Sequence, residues 1–303
     1  MNPSDFSYAI VKEVTAGTTP ATPAFLGFDF IPGDMPQLIS DVITSSVQKR
    51  NRASGGARKA NYRVEGSLKT QLKRDAAVDL LLESGLSGTF ATNVLKAGNT
   101  DTSVTFEKKM LEGATPYYHR FTGVQVSSVS LSCEASGAAE ISFGLIGMDR
   151  STSTTAIASS TYAATASTTN LTGLDVSAVT VAGVSADFRS LELTVEHDRE
   201  AQDKFGTPSA RGIGTSGFRT VKLTVTLYRA DLSVDTLFAK SDTPVAVSFT
   251  IGSALNGYTF ALPAATANIP QDSEDASKAL VTIEFTAQYD NTALTDLQIT
   301  KLT

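Results

Sequence analysis

Residues 63–83 read Arg63-Val-Glu-Gly-Ser-Leu68-Lys-Thr70-Gln-Leu72-Lys-Arg-Asp75-Ala-Ala-Val78-Asp79-Leu-Leu81-Leu82-Glu83. Residues 219–239 read Arg219-Thr-Val-Lys-Leu223-Thr-Val225-Thr-Leu227-Tyr-Arg229-Ala-Asp231-Leu-Ser-Val234-Asp235-Thr-Leu237-Phe238-Ala239. Each stretch opens with a period-two alternation, the pattern of a strand with one buried face. Each then reaches an aspartate that starts a short helix, where a carboxylate in the first turn is favoured by the helix dipole. Val78, Leu81 and Leu82 give the first helix its core face, and Gly85 is placed to end it. Val234, Leu237 and Phe238 give the second helix its face. A strand–helix unit that occurs twice predicts an internal duplication.

The flanking sequence extends the likeness. Val245-Ala-Val-Ser-Phe249-Thr parallels Thr102-Ser-Val-Thr-Phe106-Glu, and Val281-Thr-Ile-Glu-Phe285 parallels the apolar alternation that ends at Asp149. Strands are expected at about 38–48, 62–73, 102–109, 117–133 with a break, 139–148, 189–197 and 219–228. Residues 1–35 read as an irregular N-terminal arm, because Pro20 and Pro23 disfavour helix. Phe25, Phe28 and Phe30 are its contact residues, pinning the arm to a core or to a neighbour. Residues 151–169 are almost entirely Ser, Thr and Ala, a linker composition. The expected division is a module at 1–150, a linker at 151–169 and a second module at 170–303. The fold class is mainly β: two tandem barrel or sandwich modules, each flanked by one short helix.

Composition narrows the function. The chain has 303 residues, is 41% hydrophobic, lacks Trp and carries a net charge of −6. It is long enough for two cores. Its acidity argues against a broad phosphate-binding surface. Cys133 is the single cysteine, so no intramolecular disulfide is expected. Met1 to Val14 lacks a basic segment followed by an apolar run, so no secretory signal is expected. No stretch has the roughly 18 apolar residues of a membrane span. The expectation is a cytoplasmically made protein with no membrane partner.

Catalytic constellations are hard to assemble from this chain. His119 and His197 are the only histidines, and no Gly-x-Ser-x-Gly elbow accompanies them. Asp198, Glu200 and Asp203 resemble part of a calcium loop, but the required glycine and terminal glutamate are absent. No phosphate loop or strand-linked Gly-x-Gly-x-x-Gly occurs. The expectation is no enzyme, no metal and no cofactor.

Two polar segments remain. The first carries Lys49, Arg50, Arg52, Arg58 and Lys59. It reads as a solvated hairpin loop, as a DNA-binding arm, or as a loop that docks on an acidic surface of another copy. The third reading is favoured, because opposite charges set register between neighbours and loops of this length inside compact domains are usually functional or disordered. The counterpart, 198–217, carries Asp198, Arg199, Asp203, Lys204 and Arg211, and its mixed charge predicts a different neighbour.

Taken in order, several cues resemble the tail tube proteins (major tail proteins) of long-tailed bacteriophages. They are Tyr8, Glu13 and Gly17-Thr-Thr-Pro20-Ala-Thr-Pro23-Ala-Phe25; the Arg50-Asn-Arg52 loop; Val64-Glu-Gly66-Ser-Leu68 with the Asp75–Glu83 helix; Ser103-Val-Thr-Phe106-Glu107; and Phe121-Thr-Gly123-Val-Gln-Val126. They cover most of 1–150, and the second half continues the likeness more weakly. The resemblance implies rings whose inner strands join into one barrel and which stack into a tube for DNA ejection. It also implies a lumen that is acidic and repels phosphates. Implied partners are other copies of the chain, a tape measure protein in the lumen, and tail terminator and distal tail proteins at the ends. DNA would pass without specific binding, and the protein would reside in the virion after assembly in the host cytoplasm. Two modules per chain predict a trimeric ring with pseudo-sixfold symmetry. Strands 38–48, 62–73, 189–197 and 219–228 are the candidates for the lumen sheet. The competing readings are a tail terminator of the same lineage, an extracellular β-rich binding protein, and a hydrolase with a dispersed site.

Overall fold

Runs of Val, Ile, Thr, Phe and Tyr at period two become strands that hydrogen-bond into one connected sheet system. The computed structural model of the chain describes residues 5–33, 35–47, 49–53, 55–181, 186–230, 234–235, 243–275 and 278–303. In the first half, β1 (Ser7–Lys12) and β2 (Ala24–Phe28) precede a long hairpin of β3 (Gln37–Thr44) and β4 (Ala57–Gln71). Helix α1 (Ala76–Gly85) and short β5 (Val94–Lys96) follow, then β6 (Val104–Glu112), β7 (Thr115–Glu134), β8 (Glu140–Gly147), β9 (Asp149–Ser153) and β10 (Thr161–Ala163). In the second half, β11 (Val176–Val181) precedes the hairpin of β12 (Phe188–Gln202) and β13 (Gly212–Tyr228). Then come β14 (Val245–Ser253), β15 (Asn256–Ala267), β16 (Gln271–Asp275), β17 (Lys278–Ala287) and β18 (Gln298–Lys301). The protein is mainly β, of the sandwich or barrel type.

The pairing order has a pattern. In the first half β4 pairs with β8, β8 with β7, β7 with β6 and β6 with β1. In the second half β13 pairs with β17, β17 with β15, β15 with β14 and β14 with β11. The strand after each series, β9 or β18, returns to β7 or β15. The halves join where β7 pairs with β12, Leu131 opposite Leu193, and where β5 pairs with β18, Leu95 opposite Ile299.

β7 turns the corner between layers. Its first part pairs with β6 and its last part with β8 and β12, with a register shift between Val126 and Ser128. Strands change sheets through such irregularities. Gly123 sits at this corner at φ +63°, where a Cβ would collide with Met148. Glu13, itself buried, ties the corner to the chain start. Its carboxylate accepts hydrogen bonds from Gly123 N (2.9 Å), Thr105 Oγ1 (2.8 Å) and Gly17 N (2.8 Å).

One hydrophobic core runs through both halves, from Leu68, Leu81 and Phe143 to Leu193, Leu223, Phe260 and Phe285. α1 starts where the sequence predicts: Asp75 is its N-cap, and its carboxylate accepts from Ala77 N at 2.9 Å. Val78, Leu81 and Leu82 are buried, as is Leu80. Gly85 permits close packing on β7, because a Cβ there would strike Val129. Val234 is buried and helical, whereas Leu237 and Phe238 lie outside the described residues.

Several expectations change. Within the irregular arm expected at 1–35, the described residues form regular structure, since β1 and β2 pair with each other and β1 with β6. The prolines mark only the turn between them. The expected break in 117–133 is a bulge inside the continuous 20-residue β7. β4 begins at Ala57, so Arg58 and Lys59 stand on a strand and not in a loop. The polar segment 198–217 is largely strand, because β12 runs to Gln202 and β13 starts at Gly212. The connecting stretch 151–169 lies against the first half: β10 pairs in parallel with β2, and Tyr162 stacks on Phe25 with ring centres 5.2 Å apart.

Candidate assembly surfaces

Two hairpin arms leave the body at one end of the main sheet. Across that sheet the order is β3-β4-β8-β7-β12-β13-β17-β16. The pairs Gln71–Glu140, Ser132–Glu192 and Thr224–Glu284 mark one level across it. The described residues of the arm tips at 45–56 and 203–211 lie above that level, and the turn at 135–139 and the end of β16 at Asp275 lie below it. At about 3.3 Å per residue, the fifteen residues of β4 carry the first tip about 50 Å above Gln71.

The first arm is basic and apolar together. Lys49, Arg50, Arg58 and Lys59 are exposed, and among the described residues none of them forms an ion pair. The side chain of Arg52 lies outside the described residues; its backbone belongs to the 3₁₀ turn Arg50–Arg52. Val42, Ile43 and Val47 on the same arm are 59%, 62% and 63% exposed. Val42 and Ile43 are neighbours on a strand, so they face opposite sides. Both faces of this arm are therefore wet, which a single copy cannot remedy.

The second arm presents Asp203, Lys204 and Arg211 at its tip, with Phe205 and Phe218 fully exposed. Asp198 is exposed on β12, where it accepts from Ser216 Oγ at 2.6 Å. The tip leans on the first arm, since Tyr62 N donates to Pro208 O at 2.6 Å.

Arg199 is a correction. Its sequence neighbours place it on the surface, yet its side chain is fully buried. The guanidinium donates to Val126 O (2.7 Å), Ser87 Oγ (2.8 Å) and Asp101 Oδ1 (2.8 Å). It serves the fold and is not available to a neighbouring copy. The aromatic residues of the chain start face inward as well. Phe25 is buried with Ala9 and Val11, Phe28 belongs to the main core, and Phe30 packs edge-on against Tyr8.

The sequence reading missed the exposed apolar residues of the arms and the acidic strand β16, Gln271-Asp-Ser-Glu-Asp275. Every residue of β16 is exposed, and β16 pairs with β17 alone among the described strands, as β3 pairs with β4 alone. Val42-Ile43 in an otherwise polar stretch was the available signal. Exposed edges of this kind invite another strand.

Several of the more buried ionisable groups are held or perturbed by their surroundings. Buried Glu107 accepts from Arg120 Nε at 2.6 Å and from the Tyr162 hydroxyl at 2.7 Å. The Cys133 thiol is pushed up to about 11, chiefly by burial and then by Asp175 and Glu134. His197 places Nε2 2.7 Å from Gly85 O, and burial lowers its pKa, helped by Arg199. Burial also lowers that of His119, with Arg150 and Lys108 adding to it. The cleft beside His197, about 490 Å³, is lined by Ser87, Phe218, Arg219, Tyr289 and Asp296. Its charges are spent on each other, since Arg219 pairs with Asp296 at 2.6 Å. Among the described residues, no three His, Cys, Asp or Glu side chains converge as a metal site.

A mainly β chain with open sheet edges and exposed arms has the surfaces on which structural proteins associate. Residues 4–295 match the family profile described as phage tail tube protein, and the chain belongs to that family. It is thus a structural protein of the phage tail. No curated protein matches it. None of its described helices is long and apolar enough to cross a membrane.

Proposed function

We propose that the chain forms rings of three copies that stack into the tube of a long-tailed phage, the conduit for DNA ejection. Each copy fills two of six equivalent positions, with modules at 1–150 and 170–303 joined through 151–169. The observation that carries this reading is the recurrence of one pairing order, β4-β8-β7-β6-β1 and β13-β17-β15-β14-β11. The β7–β12 seam joins the halves within a copy. An equivalent seam between the β15–β16 edge of one copy and the β3 side of the next would close the ring and remove both open edges. Phage partners are a tape measure protein in the lumen and terminator and distal tail proteins at the ends. Lys49, Arg50, Arg52, Arg58 and Lys59, with Asp203, Lys204 and Arg211, supply contacts between copies. DNA crosses the lumen unbound, repelled by an acidic wall. Electron microscopy of tubes grown from purified chain tests the reading. Three chains per ring are expected, and six chains per ring would refute the double occupancy.

A further inference from the structure

We propose that the seam closing the ring repeats the register of the β7–β12 seam, so that Ile39 of one copy stands opposite Ile269 of the next. The inference rests on the ring reading and assigns the residues that join neighbouring copies. Equivalent positions follow from the two pairing orders. Leu68–Phe143 and Thr70–Ile141 across β4 and β8 correspond to Val225–Ile283 and Leu227–Val281 across β13 and β17. Leu38–Val64 in the first hairpin corresponds to Val195–Val221 in the second, and each hairpin shifts register just beyond, after Ile39 and after Glu196. Ser130–Ser142 and Val126–Leu145 across β7 and β8 correspond to Gln271–Thr282 and Ala267–Phe285, so β15 and β16 together take the place of β7.

Within one copy the seam sets Thr194, Val195 and Glu196 opposite Ser130, Val129 and Ser128. Their counterparts give the seam between copies: Gln37 opposite Gln271, Leu38 opposite Pro270, and Ile39 opposite Ile269. Both isoleucines lie at open edges with surface that a single copy leaves wet, Ile39 at 37% and Ile269 at 74% exposure. Side chains directly opposite on one face pack against each other, which removes that surface from water. The backbone of Ile269 is open too. Its N–H donates to Asn268 Oδ1 and its carbonyl accepts from Gln271 Nε2, both at 3.1 Å, and among the described residues it has no backbone partner. Local side-chain bonds of this kind stand in for a ladder, and an arriving strand replaces them.

The two seams differ in chemistry. Arg199, opposite Thr215 in the second hairpin, corresponds to Ile43, opposite Arg58 in the first. Arg199 reaches across its seam to Val126 O, and the counterpart of Val126 is Ala267. Ile43 therefore faces Ala267 of the next copy with no charge to satisfy. Below Gln271 the counterparts of Leu131 and Cys133 are the exposed Asp272 and Glu274, which end the apolar row. The internal seam is thus long and partly ionic, and the seam between copies is short and apolar. A heterologous contact of this kind makes a ring when its rotation closes.

Disulfide trapping tests the register. Ile39 and Ile269 are exposed, so I39C/I269C is expected to keep the wild-type melting temperature, and the native Cys133 is buried and does not compete. Oxidation of its assembled rings is expected to give a covalent ladder that stops at three chains on a non-reducing gel. In I39C/Q271C the two cysteines would form a diagonal pair about 7 Å apart. A disulfide needs Cβ atoms about 4 Å apart, so this offset variant is expected to cross-link roughly tenfold less. I39D and I269D, each alone, are expected to stay folded and to lose rings by negative-stain microscopy. Rings that form without the I39C/I269C cross-link, a better yield from the offset variant, or normal rings from either aspartate variant would overturn the register and leave the tube reading intact. A ladder that runs to six chains keeps the register and refutes the double occupancy. A wild-type chain that stays monomeric at high concentration sinks the tube reading itself.

Discussion

Arg199 sits in the run His197-Asp-Arg-Glu-Ala-Gln-Asp203, whose polarity suggests solvent. It is a fully buried cation instead, because the backbone of β7 and α1 offers it carbonyls and Asp101 offers a carboxylate. Removing it strands those acceptors, so Arg199→Ala is expected to cost about 2–3 kcal/mol in urea unfolding. Unchanged stability would show that water replaces it without penalty. Its neighbour His197 gives a pH test. Burial, and secondly the Arg199 charge, depress the folded pKa below the ordinary 6.5, so in that range the unfolded chain holds more protons. Stability is then complete above pH 6.5 and is lost as pH falls through 6.5 toward the folded pKa. His119 is shifted in the same direction, so His197→Gln should flatten part of the slope. An unaltered slope in urea titrations between pH 5 and pH 7 would assign the effect elsewhere. Neither role was legible in the sequence, because every residue of β12 after Val195 but Ala201 is polar, and this hides the period-two alternation that still turns Arg199 inward with Leu191, Leu193 and Val195.

α1 was legible almost to the residue, because its N-cap and its apolar spacing agree with one another; Gly85 is its last helical residue, and Leu86 takes the C-cap position expected of Gly85. The central strands were legible for a similar reason: one face is buried, so polarity alternates. The arms were not, because both of their faces meet water and no alternation is imposed. Segment 151–169 misled in another way. Its Ser, Thr and Ala residues suggest a tether, but backbone groups and a few side chains hold it to the first half. Asp75 joins the two effects. One carboxylate oxygen caps α1 and the other accepts from Ala166 N at 2.5 Å, while Lys73 Nζ donates to Ala166 O at 2.9 Å. Asp75→Ala is therefore expected to lower stability by about 1–2 kcal/mol, the usual worth of a cap. It should also speed proteolytic cleavage within 151–169. Cleavage at the wild-type rate, followed by gel electrophoresis, would mean that β10 alone holds the segment.

The recurring pairing order suggests two modules, whereas the shared core makes each depend on the other. The β7–β12 seam buries Val129, Leu131 and Cys133 beside Leu191, Leu193 and Val195. Cutting the chain at the seam would expose that apolar row on both fragments, together with an unpaired strand edge on each. Burial of a Val or Leu side chain is worth roughly 1.5–3 kcal/mol. The five Val and Leu residues half-uncovered, with Cys133 beside them, cost roughly 4–8 kcal/mol, comparable with the lower part of the 5–15 kcal/mol that typically holds a domain together. Fragments 1–169 and 170–303 are thus expected to aggregate, or to melt without cooperativity, when expressed separately. Expressed together, they should recover one cooperative transition by circular dichroism. A sharp transition in either fragment alone would make the seam an interface between autonomous domains. The open edges β3 and β16 would then be the same kind of interface left vacant. With dependent halves, the internal seam is set during folding, and only the edges at the ends of the main sheet remain for assembly.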